Sequence, residues 1–287
     1  MFKVANFQLT NTCNMRCGSC NSFNEKHSHF DFETFDERAE EWKKAGIKIL
    51  SLTGGEPTLY KHFVELAFEA RKKGFMVHVA TNGSRPDTVE EVLPYLSAMI
   101  VSLDSSDPEV HDKHRGRPVF DSAVETIRRC RGKVKILTAN ALITVDPKKV
   151  LRNVEWVNEE LGIPLSLCYP GSGTYVYGEH VFDMATVART FRKVALHYDD
   201  YVWGNTKRFY EEAAGIRERS PCRAGKSACY IDTKGDVRDC FIHVKHPDGC
   251  DDCMIQCFRE PSIRDTVRQA ALLWRIYRYT HERREGG

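Results

Sequence analysis

The chain has 287 residues, of which 41% are hydrophobic and 29% charged, and its formal net charge is +2. This composition excludes a disordered or collagen-like chain, and so small a charge gives no reason to expect a nucleic-acid partner. No run of 18 apolar residues occurs, so no transmembrane segment is expected. The first residues also lack a secretory-signal pattern. We therefore expect a folded, cytoplasmic protein.

Residues 1–170 alternate between apolar strand-like stretches and segments of helical periodicity. This alternation predicts parallel strands joined by right-handed helical crossovers. Six such units are too few for a closed eight-stranded barrel, so we predict an α/β fold with a partial (β/α)6 barrel of the TIM type. The predicted strands are Asn6–Leu9, Ile47–Leu52, Phe75–Ala80, Ala98–Leu103, Val134–Val145 and Pro164–Tyr169.

The alternation stops after about residue 200, which suggests a division into three parts. Residues 1–205 form the predicted barrel, residues 206–258 a small Cys-rich domain with a hairpin over 230–238, and residues 259–287 a terminal helix packed on the barrel. The expected docking stripe of that helix is Ile263, Val267, Ala270 and Trp274. The alternative is binding to a membrane surface through Arg275, Arg278, Arg283 and Arg284.

Eleven cysteines are more than core packing requires, and a reducing compartment disfavours disulfides. Three of them lie within residues 13–20 and six within 222–257, which predicts two metal or redox centres. Cys130 and Cys168 stand alone, and we expect both to be buried as small apolar residues.

The first group, Cys13, Cys17 and Cys20, follows the first strand with the spacing C-x3-C-x2-C. A structural zinc site or an ordinary iron–sulfur cubane takes four protein ligands. Three thiolates leave one metal corner open, where a small molecule can coordinate. The alternatives are buried free thiols or a zinc site completed by His27 or His29.

Polar residues recur where the predicted strands end, which is where parallel α/β folds bind ligands. Two glycines after the second strand allow the backbone to approach a ligand closely, and the glutamate beside them can accept from an ammonium group. The candidate ligand-binding residues are Gly54, Gly55, Glu56, Pro57, Thr81, Asn82, Ser102, Asp104 and Asn140.

These motifs resemble those of the radical S-adenosylmethionine (radical SAM) superfamily, with CX3CX2C at Cys13–Cys20 and GGEP at 54–57. The resemblance implies a [4Fe–4S] cluster on the three cysteines and S-adenosyl-L-methionine (AdoMet) on the fourth iron, its amino group held by the GGEP segment. Ser102 and Asn140 match positions that contact the ribose or carboxylate in relatives. Ser19 departs from the aromatic residue usual there, which bears on how adenine is packed.

The second group of cysteines is similar to the SPASM/twitch extension found in part of that superfamily. Cys222, Gly235 and Cys240 give CX12GX4C, and a CX2CX3C run follows at 250–257. The resemblance implies an auxiliary [4Fe–4S] cluster, for which we favour Cys222, Cys240, Cys250 and Cys253, with Cys229 and Cys257 in reserve. The alternatives are two three-cysteine clusters or a zinc knuckle.

The resemblance implies an oxidoreductase-type enzyme that cleaves AdoMet reductively to a 5′-deoxyadenosyl radical, which abstracts hydrogen from a substrate. An external donor such as flavodoxin or ferredoxin would supply the electron. The auxiliary cluster would accept an electron during oxidation or cross-linking of a peptide or small metabolite. A redox-neutral rearrangement or epimerisation, and a non-enzymatic iron–sulfur or zinc scaffold, are the alternatives. No catalytic acid or base is assigned.

One further segment, Glu109–Gly116, resembles a loop that follows the fourth strand in SPASM relatives. The alternative for its charged side chains is that they cap a helix and face water.

Overall fold

The computed structural model describes residues 3–18, 20, 26–142, 147–168, 184–240 and 266–282. Its strands are β1 (Lys3–Thr10), β2 (Ile47–Gly54), β3 (Met76–Thr81), β4 (Ala98–Ser102), β5 (Ile136–Leu142), β6 (Leu165–Cys168), β7 (Ala228–Ile231) and β8 (Val237–Arg238). Its α-helices are α1 (Phe35–Lys44), α2 (Phe63–Lys72), α3 (Pro86–Val92), α4 (Pro108–Arg115), α5 (Phe120–Cys130), α6 (Pro147–Glu160), α7 (Met184–Leu196), α8 (Lys207–Ala213) and α9 (Thr266–Glu282).

The strands form one sheet in the order β6-β5-β4-β3-β2-β1-β7-β8. The first seven strands are parallel to their neighbours, and β8 runs antiparallel to β7. The predicted α/β partial barrel is confirmed. The sheet also extends past the six predicted strands, because β7 pairs with β1 through Ala5 and Cys229. The described part of residues 206–258 thus continues the barrel sheet, and the three-domain division stays a prediction.

The two faces of the sheet differ in polarity. Phe7 of β1 packs edge-on against Phe30 and Trp42, each with ring centroids 4.9 Å apart, so alternate residues of β1 face the helices. The residues between them, Asn6 and Gln8, lie on the concave face and are partly accessible. The concave face is therefore lined by polar, reachable side chains, whereas the convex face is sealed by the core.

Helix α9 docks on the barrel through a different face from the predicted one. Ile276 is 2% exposed and Thr280 is fully buried, whereas Trp274 is 61% exposed. The predicted stripe through Ala270 and Trp274 is therefore wrong, since both of these residues face solvent. The side chains of Ile263 and Val267 lie outside the described residues.

Long polar side chains explain which face of α9 is buried. The Arg275 guanidinium donates to the carbonyl of Tyr201 at 2.7 Å, and the Tyr279 hydroxyl donates to the carbonyl of Asn158 at 2.6 Å. These bonds satisfy carbonyls at the rim of the barrel. Among the helices of the described residues, none combines the length and the apolar character needed to cross a bilayer.

Candidate active site

The first three cysteines lie on the loop that follows the carboxyl end of β1, here called the cluster loop (residues 11–20). Cys13, Cys17 and Cys20 are all partly buried, and the backbone N–H of Cys20 donates to the carbonyl of Cys17 at 3.1 Å. Burial raises the pKa of Cys13 to about 11, and the neighbouring charges of Glu56 and the other two thiols act in the same direction. The three sulfurs are therefore close enough to interact electrostatically.

The donor set, three thiols on one short loop, fits an iron–sulfur cubane. In the described parts of the chain, no three His, Cys, Asp or Glu side chains converge as ligands of one metal ion. A cubane spreads its thiolates over separate irons, so its ligands need not converge on one point. His27 and His29, the alternative zinc ligands, are hydrogen-bonded to the hydroxyls of Thr12 and Thr10 at 3.0 and 2.9 Å.

The two glycines of the GGEP segment pack directly against the start of the cluster loop. A Cβ at Gly54, whose φ is 148°, would lie 2.1 Å from the carbonyl oxygen of Thr10, and one at Gly55 would lie 2.2 Å from that of Thr12. The N–H of Gly55 also donates to the carbonyl of Thr10 at 2.7 Å. Because only glycine permits this approach, the sequence motif brings the end of β2 against the cysteine loop.

Glu56 is buried, and its carboxylate is fully engaged with the protein. Oε1 accepts from the Thr58 hydroxyl and N–H and from the Thr81 hydroxyl, and Oε2 accepts from the N–H of Asn82 at 2.7 Å. Burial raises the pKa of Glu56, and these hydrogen bonds oppose the rise. A carboxylate has about four acceptor positions, and Glu56 uses its carboxylate to bond to Thr58, Thr81 and Asn82. Glu56 therefore stabilises the structure around the site.

Thr81 and Asn82, both predicted ligand-binding residues, bond to Glu56, and Asn82 also connects it to the cluster loop. Asn82 donates through Nδ2 to Oδ1 of Asn14 at 2.8 Å, and Asn14 donates in turn to the Ser84 hydroxyl at 2.9 Å. Asn14 was not identified from the sequence, where it is only a residue between two cysteines. The end of β3 thus fixes the cluster loop in place.

Ser102 and Asn140 lie side by side on the concave face, since they are register partners in β4 and β5. The Oδ1 of Asn140 is buried and has no hydrogen-bond partner, while its Nδ2 donates to the sulfur of Cys168 at 3.5 Å. A buried acceptor without a donor is costly unless a ligand supplies one. This pair therefore suits a polar ligand at the carboxyl end of the sheet. Of the two isolated cysteines, Cys130 is buried as predicted, whereas Cys168 is partly accessible and faces this site.

Asp104, another predicted ligand-binding residue, is instead committed to a buried ion pair. Its Oδ1 accepts from Nη2 of Arg115 and from the N–H of Leu142, both at 2.9 Å, and His114 lies 3.0 Å from Oδ2. Arg115 Nε is 2.6 Å from Oδ2, close enough for an ion pair, although its N–H is not aligned for a hydrogen bond. Burial alone would raise the pKa of Asp104, but Arg115 and His114 hold it well below its usual range.

Arg115 links this ion pair to the cysteines. Its Nη1 lies 4.0 Å from the sulfur of Cys17, and its carbonyl accepts from the N–H of Arg16 at 3.1 Å. A Cβ at Gly116 would lie 2.4 Å from the Arg16 carbonyl oxygen. In the segment Glu109–Gly116, His114 and Arg115 therefore turn toward Asp104 and the cluster loop, whereas Glu109 and Lys113 face water as the alternative expected. The sequence analysis singled out this segment, but it did not identify Asp104 as the partner of Arg115.

The described part of the second cysteine group brings two of its predicted ligands onto neighbouring segments. Gly225, with φ 73°, packs so closely on Asp239 that a Cβ would lie 2.5 Å from its carboxylate. The turn after Cys222 thus touches the residue before Cys240, and both cysteines are partly exposed. Cys229 is 1% exposed and belongs to the hydrophobic core. Cys250, Cys253 and Cys257 lie outside the described residues.

Comparison with known proteins identifies the class. The sequence profile of the Radical SAM superfamily matches residues 7–161, and the chain belongs to this superfamily. Its members use a [4Fe–4S] cluster and AdoMet, and the residues described above fit both groups. The resemblance predicted from the cysteine and GGEP motifs is confirmed.

Individual relatives extend the similarity beyond the barrel. The chain is 26% identical over 254 residues to the antilisterial bacteriocin subtilosin biosynthesis protein AlbA of Bacillus subtilis (84% of this chain, 55% of AlbA). It is 27% identical over 264 residues to the mycofactocin maturase MftC of Mycolicibacterium smegmatis (83% of this chain, 64% of MftC). The chain thus spans between about half and two thirds of the length of these curated relatives.

A similar fold occurs in Streptococcus suis SuiB. The structure bound to the precursor peptide SuiA has a TM-score of 0.68 at 17% identity over 95% of this chain and 66% of that chain. The structure bound to S-adenosylmethionine has a TM-score of 0.68 at 18% identity over 98% of this chain and 68% of that chain. These coverages exceed the share of the chain predicted as barrel, so the similarity in fold extends beyond residues 1–205.

Proposed function

We propose that this protein is a peptide-modifying radical SAM enzyme that oxidises or cross-links its substrate. The observation that carries the proposal is the packing of GGEP on the cluster loop: Gly54 and Gly55 lie so close to the carbonyls of Thr10 and Thr12 that no side chain would fit. Glu56 is bonded to Asn82, which in turn bonds to the loop. When bound, the cluster and AdoMet supply a 5′-deoxyadenosyl radical that abstracts hydrogen. The residues below hold and orient these groups.

Cys13, Cys17 and Cys20 would bind the cluster and leave one iron for AdoMet. Because the Glu56 carboxylate already accepts four hydrogen bonds from the protein, the backbone carbonyls of Gly54 and Gly55 are the better partners for the AdoMet amino group. Ser102 and the unpartnered Oδ1 of Asn140 would meet polar groups of the same ligand. Asp104 would act at a distance, by fixing Arg115 beside Cys17.

A peptide is the best-supported substrate class. AlbA is named for bacteriocin biosynthesis, MftC is a maturase, and SuiB has been solved with its precursor peptide. The concave face of the barrel, with the accessible Asn6 and Gln8, is where such a substrate would reach the radical. Eleven cysteines without predicted disulfides suit the cytoplasm as the site of this chemistry.

We further propose an auxiliary [4Fe–4S] cluster on Cys222, Cys240, Cys250 and Cys253. The contact between Gly225 and Asp239 supports the pairing of the first two ligands, and the core position of Cys229 argues against it as a ligand. An acceptor of one electron beside the barrel would allow net oxidation after hydrogen abstraction. Iron analysis separates this proposal from a zinc knuckle. The amino-terminal cluster and one auxiliary cluster together hold about eight irons per chain, whereas the amino-terminal cluster with a zinc knuckle holds about four.

The test uses anaerobically reconstituted protein with dithionite and AdoMet. We expect 5′-deoxyadenosine to form, and we expect its formation to be lost in Cys17→Ala but retained in Cys130→Ala, which removes a buried thiol outside the site. Product from Cys17→Ala at the wild-type rate would contradict the proposal. A modified substrate peptide would then be identified by mass spectrometry, as a product whose mass has decreased by the hydrogen atoms removed.

A further inference from the structure

A cavity lies between the cluster loop and the segment that follows α4. It has a volume of about 470 Å³ and is lined by Cys13, Asn14, Met15, Arg16, Gly116 and Arg117. Cys13 is thus both a proposed cluster ligand and part of an external wall. A molecule seated over this cavity would therefore lie beside a cluster ligand.

The rim of this cavity carries positive charges that the described residues do not neutralise. Arg16, Lys113 and Arg117 are exposed, and among the described residues none of them has a carboxylate partner. Arg16 and Arg117 line the cavity itself, and Lys113 lies in the last turn of α4, three residues before the lining residue Gly116. Elsewhere, surface cations such as Arg129 and Lys133 lie within 2.6 Å of a carboxylate.

The local structure holds these cations in place. Arg117 donates through Nη1 to the carbonyl of Asn14 at 2.9 Å, and the Arg16 N–H is bonded to the Arg115 carbonyl. The nearby Asp112 is used internally, because its Oδ1 accepts from the N–H groups of Val119 and Phe120, both at 2.8 Å. The Arg117 side chain and the Arg16 backbone are therefore held at the cavity beside a cluster ligand, and Lys113 adds a third positive charge close by in the chain.

We propose that this basic rim (Arg16, Lys113 and Arg117) docks the protein that supplies electrons, a small acidic one-electron carrier of the flavodoxin type. This inference rests on the proposed function, which requires an electron from outside the chain. Opposite charges steer such encounters and make them sensitive to salt, and weak redox complexes need only a small contact area. One electron leaves the carrier's flavin and one enters the cluster, with no atom transferred.

The experiment measures docking and electron transfer separately. An acidic bacterial flavodoxin is titrated onto the anaerobically reconstituted protein to obtain Kd, and its reduced form is mixed with the protein to follow bleaching of the cluster absorbance. Photoreduced deazaflavin, a small reductant, replaces flavodoxin in a parallel series. The double variant Arg16→Glu/Lys113→Glu is compared with Lys48→Glu, an exposed cation at the opposite end of β2.

The double variant should bind flavodoxin about tenfold more weakly and be reduced by it about tenfold more slowly at low ionic strength, with the difference shrinking as salt rises. Lys48→Glu should match wild type, Arg16→Lys should retain docking, and reduction by deazaflavin should be unchanged in all. Wild-type docking of the double variant, or an equal loss with deazaflavin, would overturn the proposal. Failure of AdoMet cleavage with deazaflavin would instead contradict the proposed function.

Discussion

Asp104 provides the sharpest test of how the cluster loop is held. The change Asp104→Asn keeps the side-chain size but removes the charge that neutralises Arg115. The two side chains are 3% and 15% exposed. Breaking a buried pair from one side costs about 3–5 kcal/mol. Because Arg115 keeps slight access to water, we expect the lower end, a loss of about 3 kcal/mol in the free energy of unfolding at pH 7.

This loss should depend on pH with a definite sign. The pKa of Asp104 is held below its usual value in the folded protein, so its charge contributes stability above the unfolded pKa of about 4. That contribution disappears as the pH falls toward the folded pKa. The difference between wild type and Asp104→Asn should therefore be complete at pH 7 and should narrow below about pH 4.

The measurement is urea unfolding of the apo chain, followed by circular dichroism under reducing conditions. Asp87→Asn is the matched control, since Asp87 pairs with Arg129 at 2.6 Å but its side chain is 86% exposed. An exposed pair contributes at most about 1 kcal/mol, so the control should change little. Equal small losses in both variants would refute the assignment of a buried, stabilising ion pair.

Three further outcomes are expected. Glu56→Gln should weaken AdoMet binding at least about tenfold in titration calorimetry while iron content stays at the wild-type level, because residue 56 loses its charge but the cysteines remain; unchanged affinity would contradict this. Gly55→Ala should lower iron retention on gel filtration, because its Cβ would lie 2.2 Å from the Thr12 carbonyl oxygen. Retention equal to wild type would contradict this, since the cluster loop would then have moved without loss of the cluster. Ile276→Ala should lower the free energy of unfolding in urea by about 2–4 kcal/mol, and Trp274→Ala by less than about 1 kcal/mol. A larger loss for Trp274→Ala than for Ile276→Ala would mean that α9 docks through the face predicted from the sequence.

The parts of the fold predicted from sequence are those encoded locally. The six strands and the helices between them follow from the spacing of apolar residues. The cluster loop and the GGEP segment follow from two short motifs, each within a single strand-to-helix connection. Local patterns fix these features because each element buries one face. The strand β7 was not predicted in the barrel, since only four residues form it and its partner β1 lies more than 200 residues away.

The site was predicted less completely than the fold. Sequence reasoning placed Asp104 among ligand-binding residues because it ends a strand, but the structure pairs it with Arg115, eleven residues further on. It treated Glu56 as a free acceptor, whereas four hydrogen bonds occupy its carboxylate. Whether a polar residue faces a ligand or another side chain depends on tertiary contacts, which composition and spacing do not encode.

The most direct test of the central claim is electron paramagnetic resonance of the reduced protein before and after AdoMet is added without oxygen. To isolate the amino-terminal cluster, the experiment uses Cys222→Ala, which removes a proposed auxiliary ligand. We predict that AdoMet alters the signal in this variant, because it binds the iron that Cys13, Cys17 and Cys20 leave open. An identical spectrum with and without AdoMet would contradict the account.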